Sequence, residues 1–511
     1  MNWAAMTSCS PQTAPTRHCG VPGTDDVVRP THERNTVRMV SQQREGALDE
    51  ATRWNAMRDL MKRARRSDAE VRPDPTAPPF LSHGQEQMFG ICQRFPGSSV
   101  AYNMSRVYRF KGEVHTEALA SALHALVRRH ESLRTGFLDT PEGARRIVTD
   151  DVPDLRVEDL THRPAAERDD AARLVVEQDL QAEFDLGRPP LVRAKLLRLA
   201  ADDYVFVLVI HHIVADGWSW GIIHREISEA YAAFTEASDG PPPRQPVRPY
   251  SEFVALQRAR LASSVGRESL DHWVRHLRDL PEPARIPIDK VASTEVDFSG
   301  DRHVFRLGEA LSRRVREVSA GCRVTPAAVM LGSFARLLRE EHGSRELVVA
   351  APYANRLPHR MNDTVGYFVN SHVLRVPTPA DATPADLIRQ ADSQLARALL
   401  HQEVPFPLIE AELAGTGGDT HLPKAFQMMF FFHGQRRIDF SLPGVAVSRA
   451  PYFHNGTTKS DLTLIVHEDD EEIVCHFEYS TVLYTSDAME RAAQAYLRVL
   501  EDLPAIPGRK Q

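Results

Sequence analysis

Long apolar runs are missing from this chain. No segment of its 511 residues approaches the roughly 20 uninterrupted apolar residues that a helical membrane span requires, so no contact with a membrane is expected. Cysteine is scarce. Cys9, Cys19, Cys92, Cys322 and Cys475 are odd in number and scattered, which suits neither a disulfide framework nor a metal site. Cys9 and Cys19 lie ten residues apart with His18 beside one, but no second pair completes a zinc site. No metal is expected, and reduced thiols suit a cytoplasmic protein. The N-terminus, Met1-Asn-Trp-Ala-Ala-Met6, lacks the charged-then-apolar layout of a secretory signal. A basic excess is absent too: 62 Lys and Arg against 69 Asp and Glu leave a net charge of -7, which argues against a nucleic-acid partner.

What is present is ordinary globular material, 42% hydrophobic and 26% charged, and long enough for two domains or one large two-lobed unit. Residues 1–76 stand apart. Residues 7–36 are rich in Ser, Thr, Pro and Gly without an apolar period and are expected to be disordered. Over 49–71, Trp54, Met57, Leu60 and Met61 recur at helical spacing among arginines and a lysine, which predicts a short basic helix. That helix suits either partner docking or a solvated leader, and Met39 offers an alternative start. The proline-rich Pro73–Pro79 is a stiff boundary.

Beyond it, helical and strand patterns alternate. Strands are expected at 107–111, 191–197 and 204–210, the last two forming a hairpin about Ala200-Ala-Asp-Asp203. Helices are expected at 115–129, 165–182 and 219–235, and Gly240-Pro-Pro-Pro243 reads as a linker between a lobe at 77–243 and another at 244–511. The second half should hold helices at 309–320, 325–341, 384–400 and 486–502, with strands at 301–306, 346–351, 371–376, 426–432, 461–467 and 472–479. Both halves thus read as α/β layers, without internal sequence repeat.

The most informative stretch is Val205–Ser219. An unbroken apolar run, Val205–Ile210, ends in His211-His212, and Asp216-Gly217 follows. Such a run reads as a strand covered on both faces. It carries an imidazole, the side chain best suited to proton handling near neutral pH, to the place where buried backbone gives way to an opening.

This His-His-x-x-x-Asp-Gly motif resembles the active-site signature of condensation domains from nonribosomal peptide synthetases, in the chloramphenicol-acetyltransferase-like superfamily. Five further segments match in order. Leu81-Ser-His-Gly-Gln-Glu-Gln-Met88 resembles S-x-A-Q-x-R-M, departing at His83 and Gln87, and Arg129-His-Glu-Ser-Leu-Arg-Thr-Gly-Phe137 is close to R-H-E-x-L-R-T-x-F. Tyr250-Ser-Glu-Phe253 resembles a Tyr-centred motif, Val365-Gly-Tyr-Phe-Val-Asn370 resembles I-G-x-F-V-N, and His401-Gln-Glu-Val-Pro-Phe406 resembles H-Q-x-x-P-F. The likeness spans about 79–503, with no adenylation or carrier module after it, so a free-standing condensation enzyme is expected.

The resemblance implies an α/β fold of two acetyltransferase-like lobes, a V-shaped pseudodimer with a central tunnel. It implies acyl transfer from a phosphopantetheine thioester to an amine or alcohol. The chain itself would bind no cofactor; a peptidyl or acyl carrier protein would supply the arm in trans, and the chain would act as a monomer. Side chains alternate along a strand, so one histidine of the pair faces the tunnel. His212 is the candidate, with three open roles: general base, hydrogen-bond anchor, or stabiliser of the tetrahedral intermediate. His211 is expected to pack and orient. By resemblance, Asp216 pairs with a distant arginine, here Arg356 of Tyr353-Ala-Asn-Arg356, and Arg134 also supports the active site. Gly217 permits close backbone approach, and its N–H is a candidate oxyanion donor. Trp218 and Ser219 line the donor side, although Trp218 fits the core equally. Asn370 faces the tunnel or satisfies backbone groups.

Relatives supply the alternatives. Epimerisation domains share the motif but need a second acid–base group, and their Glu-containing segment is absent. Heterocyclisation relatives replace the histidines with aspartates. CoA-dependent O-acyltransferases of the wax-ester-synthase type share the signature without the other motifs. A recruitment domain without catalysis is the non-enzyme alternative.

Overall fold

The computed structural model describes residues 79–236, 246–283, 285–290, 296–356, 361–415, 426–434, 440–450, 453–468 and 472–504. The expected leader, with its helix at 49–71, and the linker at 240–243 lie outside the described residues.

The apolar run forms a strand because both of its faces are covered. Strands β1 (Asn103–Lys111), β5 (Val192–Ala200) and β6 (Asp203–His211) pair antiparallel, β6 lying between the other two. Every residue of β6 is buried. Tyr204, Phe206, Leu208 and Ile210 enter the main core, shared with Leu119, Leu123 and Leu126 of helix α2 (Thr116–Arg129) and Ile223 and Ile227 of α4 (Ser219–Glu236). Val205, Val207 and Val209 enter a second cluster with Ala172, Val176 and Leu180 of α3 (Arg168–Gln181). Each such buried side chain contributes on the order of 1.5–3 kcal/mol relative to exposure. That density of burial holds the end of β6, and the two histidines with it.

The expected hairpin forms, but its strands run on to Ala200 and from Asp203, so the turn is tighter than the polar cluster suggested. The parallel strand β4 (Leu155–Asp159) borders β5. The opposite edge is closed by β11 (Ala446–Arg449), which pairs antiparallel with Tyr108–Lys111 although it comes from the second half of the chain. A two-stranded ribbon, β2 (Thr135–Leu138) and β3 (Arg145–Val148), lies apart.

The second sheet runs in the order β7-β13-β12-β10-β8-β9, from Gly300–Arg306, Ile473–Ser480, Leu462–Glu468, Met428–His433, Glu346–Tyr353 and Asn370–Pro377. Helices α7 (Gly308–Cys322), α8 (Pro326–His342), α9 (Pro384–Leu400) and α11 (Ser486–Glu501) stand within two residues of expectation at either end. Their ends carry local signals: Thr325 caps α8 and Gly343 ends it at positive φ, while Thr383 and Asp386 form a capping box on α9. Helices α1 (His83–Arg94), α5 (Tyr250–Leu261), α6 (Ser264–Leu277) and α10 (Phe406–Gly415) complete the fold. The α/β class agrees with expectation, while the first sheet takes its edge strand β11 from beyond the expected boundary at 243. Among the described residues no single helix is long and apolar enough to cross a membrane.

Candidate active site

Strand β6 ends at His211, which is fully buried. Its ring lies 6.1 Å from that of Tyr102 and 6.0 Å from that of Phe184, and its Nδ1 accepts the Ile213 N–H at 3.2 Å. Burial, with His212 as the next cause, pushes its pKa down to about 3. A histidine so enclosed stays neutral and packs.

His212 turns the other way and is partly exposed. Its Nδ1 lies 2.7 Å from the Ala215 carbonyl oxygen. A carbonyl only accepts, so Nδ1 carries the hydrogen and Nε2 keeps its lone pair. Burial, followed by the charge of Lys459, lowers the His212 pKa to about 4. The site therefore presents a neutral imidazole, anchored at one nitrogen and open at the other. The Tyr367 ring stands edge-on to it, 5.0 Å away.

Asp216 is fully buried and faces away from that work. Arg356 Nη2 donates to its two oxygens at 3.0 and 3.2 Å. The Ser219 N–H and hydroxyl donate to Oδ1 at 2.9 and 2.7 Å, and the Phe368 N–H reaches Oδ2 at 3.3 Å. Arg356 Nη1 donates to the Met361 and Thr364 carbonyls, each at 2.8 Å. A buried ion pair is tolerable when its remaining polar atoms are met in this way. It ties the turn after β6 to the 361–368 loop. His212 Nδ1 is bonded to Ala215 O rather than to Asp216, so a Ser-His-Asp style relay is not built here.

That loop is gripped from several motifs. Ser132 Oγ donates to the Val365 carbonyl at 2.6 Å, and the Val365 N–H reaches His130 Nδ1 at 3.3 Å. The Tyr250 hydroxyl donates to the Tyr367 carbonyl, and it bonds Ser82 Oγ at 3.0 Å. Glycine is required at 366, because a Cβ there would stand 2.2 Å from Tyr250 Cδ2. Gln85, in the capping box of α1, donates to the Ile213 carbonyl at 2.9 Å and braces the histidine turn from behind.

Several expected positions differ. Ser219 does not line a channel: it is fully buried, its hydroxyl bonded to Asp216. Asn370 is buried as well, and its amide donates to the Gln402 carbonyl at 2.8 Å, the backbone-satisfying alternative. Arg134 supports the ribbon rather than the site, donating to Thr149 O at 2.6 Å and Asp150 Oδ1 at 3.0 Å. Trp218 is half-buried, and its indole N–H donates to Asn362 O at 3.1 Å. Gly217 is exposed, and a Cβ built on it would meet nothing within 4 Å. The side-chain face of this residue is therefore open.

Two residues that act on His212 were not anticipated, Tyr367 by ring contact and Lys459 by charge. Tyr367 occupies the variable position of the Val365–Asn370 motif, so its only signal was its neighbours. Lys459 belongs to none of the matched motifs.

A family model described as Condensation domain matches residues 79–510. Phosphinothricin tripeptide synthetase PhsC of Streptomyces viridochromogenes is 33% identical over 442 residues, covering 86% of this chain but 40% of the relative. Chondramide synthase cmdD of Chondromyces crocatus is 33% identical over 444 residues, covering 86% of this chain and 11% of the relative. The chain thus spans well under half the length of these relatives. Among solved structures, the X-domain from teicoplanin biosynthesis superposes with a TM-score of 0.73 at 21% identity, covering 86% of this chain and 98% of that one. At that identity the likeness speaks for the fold.

Proposed function

Because the chain belongs to the condensation-domain family of nonribosomal peptide synthesis, we propose that it transfers an acyl or aminoacyl group from a carrier-protein phosphopantetheine thioester to an amine or alcohol acceptor. The observation that carries this reading is the anchored tautomer of His212, with Nδ1–H held by Ala215 O and Nε2 left to face a reactant.

The thioester arrives activated, so holding both reactants in attack geometry supplies much of the acceleration. The nucleophile attacks the thioester carbonyl carbon and its N–H or O–H points at His212 Nε2. A nitrogen of pKa about 4 is a weak base toward an alcohol. It suits an amine better. A neutral amine attacks unaided and becomes strongly acidic only as the new C–N bond forms; His212 then takes the proton. The tetrahedral intermediate's oxygen accepts from the Gly217 N–H, at the opening of α4. Collapse expels the pantetheine thiolate, which recovers the proton from the imidazolium.

The test is to offer acyl-carrier thioester and acyl-CoA in parallel against a panel of amines and alcohols, reading products by mass spectrometry. Carrier-dependent amide is the expected outcome. Product from CoA alone would assign the chain to CoA-dependent acyl transfer, and binding without turnover to recruitment.

A further inference from the structure

Tyr367 is held beside His212 by its own backbone. Its carbonyl accepts from the Tyr250 hydroxyl, the Gly366 N–H before it reaches Ser219 Oγ at 3.3 Å, and the Phe368 N–H after it reaches Asp216 Oδ2 at 3.3 Å. The ring stands 5.0 Å from that of His212 and nearly perpendicular to it, at 81°. One edge of the ring rests on the first turn of α1. Gly84 there leaves the room it needs, because a Cβ at that position would stand 2.8 Å from Tyr367 Cε1. Three backbone bonds and one missing side chain thus keep a phenol against the imidazole.

That phenol has an unused hydrogen bond. Among the described residues the Tyr367 hydroxyl has no hydrogen-bond partner. Tyrosine hydroxyls withdrawn from water ordinarily find one. Burial, followed by the negative charge of Asp216, raises the Tyr367 pKa, so the group stays a neutral O–H donor through the working range of pH. The residue is nonetheless partly exposed, as is His212, so the pair is not sealed into the core. Packing against His212 would require the ring alone, which a phenylalanine supplies.

We propose that the Tyr367 hydroxyl is a second hydrogen-bond donor to the oxygen of the reacting carbonyl, acting with the Gly217 N–H. The inference rests on the acyl-transfer reading and adds a catalytic residue to it. The two rings are in contact, so a reactant within hydrogen-bond reach of His212 Nε2, roughly 3 Å, lies close to the phenol. The thioester carbonyl is the one oxygen that every acyl donor brings to that point, whatever its chain. As the nucleophile's lone pair enters the carbonyl carbon, the C=O π pair moves onto oxygen, and the O–H···O bond strengthens with that charge. No proton leaves the phenol. His212 takes the nucleophile's proton and the thiolate recovers it, so Tyr367 ends the cycle unchanged.

The experiment uses the full chain, the acyl-carrier thioester and whichever amine of the panel yields amide. Tyr367→Phe keeps the ring and removes the hydroxyl. We expect kcat to fall about 10²-fold with KM near the parent value, on an unchanged melting curve and an unchanged acid limb of the pH profile. A kcat within about threefold of the parent, or a lower melting midpoint that accounts for the loss, overturns the proposal. Gly84→Ala displaces the ring and should cost a similar factor. The double variant Gly84→Ala/Tyr367→Phe should then be little slower than either alone, and losses that multiply would overturn the placement of the hydroxyl. Calorimetry with a ketone analogue of hexanoyl-pantetheine, a methylene replacing its sulfur, separates the two readings. Binding that Y367F weakens by about three- to tenfold, without turnover in any variant, sinks the catalytic reading and keeps the contact. Turnover that Y367F leaves intact does the reverse, and equal affinity without turnover sinks both.

Discussion

Arg356 holds Asp216 across 140 positions of sequence, with Nη2 3.0 Å from Oδ1. Both carboxylate oxygens are engaged by Arg356, and Ser219 and Phe368 take up their remaining capacity. The aspartate of the motif therefore ties the turn after β6 to the 361–368 loop, and His212 Nδ1 is bonded to Ala215 O instead. Asp216→Asn should expose this division. It preserves shape but leaves the Arg356 guanidinium buried and uncompensated, a loss of about 3–5 kcal/mol. Thermal and denaturant unfolding should both report it, together with reduced turnover. Lost turnover on an unchanged melting curve would contradict the assignment.

His212→Ala should behave oppositely. The ring is partly exposed and is anchored on Ala215 O, so the fold should survive. Turnover should drop by about 10²–10⁴-fold, the usual scale for a group that handles a proton in the transition state. A variant within a few-fold of the parent at saturating substrate would remove His212 from the chemistry.

The pH profile follows from the same environment. Burial and Lys459 hold the His212 pKa near about 4, so the ring stays neutral from pH 6 to 8. The acid limb of kcat/KM for the free enzyme should lie well below the ordinary histidine value of about 6.5. A limb centred at 6.5 would mean that the ring is better solvated than its surroundings indicate.

Stability should also fall with acid. His211 and His372 are fully buried, and burial lowers their pKa values to about 3 and about 4. The unfolded chain binds these protons near pH 6.5 and the folded chain does not, so stability rises with pH between the folded and unfolded values. It is fully present above about 6.5 and erodes below. At pH 5 each residue accounts for a loss of about 2 kcal/mol relative to pH 7. Melting midpoints from pH 7 to 5 check this, and His372→Asn should flatten the slope; a curve unaffected by that substitution would rule the residue out.

Legibility in the sequence tracked distance along the chain. The helices at 308–322, 326–342, 384–400 and 486–501 carry their own apolar periods and caps, and they were readable. Strand β11 was not: Ala446-Val-Ser-Arg449 has no apolar run and becomes a strand through the free edge of β1. The histidine pair announced itself because the run before it is buried on both faces. Which way neighbouring side chains point was hidden. Ser219, two residues past its motif, and Asn370, inside one, are both polar, yet carboxylate and backbone partners draw both of them inward. Arg356 was found through resemblance, since nothing local marks an arginine whose partner is so distant.

Gly366 offers the sharpest packing test. A Cβ there would lie 2.2 Å from Tyr250 Cδ2 and 2.9 Å from Phe368 Cε2, closer than either ring tolerates. In Gly366→Ala the tyrosine must shift, and its hydroxyl then leaves Ser82 and the Tyr367 carbonyl. The direct overpacking cost is about 1–3 kcal/mol. Turnover should suffer beyond that, because Tyr367 loses the restraint that sets it edge-on to His212. Tyr250→Phe removes the hydroxyl alone and should cost about 1 kcal/mol, with a smaller loss of rate. Tyr250→Leu clears the ring, so the double variant Gly366→Ala/Tyr250→Leu should be less unstable than the sum of its parts. Strict additivity in that cycle would show that the glycine is not there for the tyrosine.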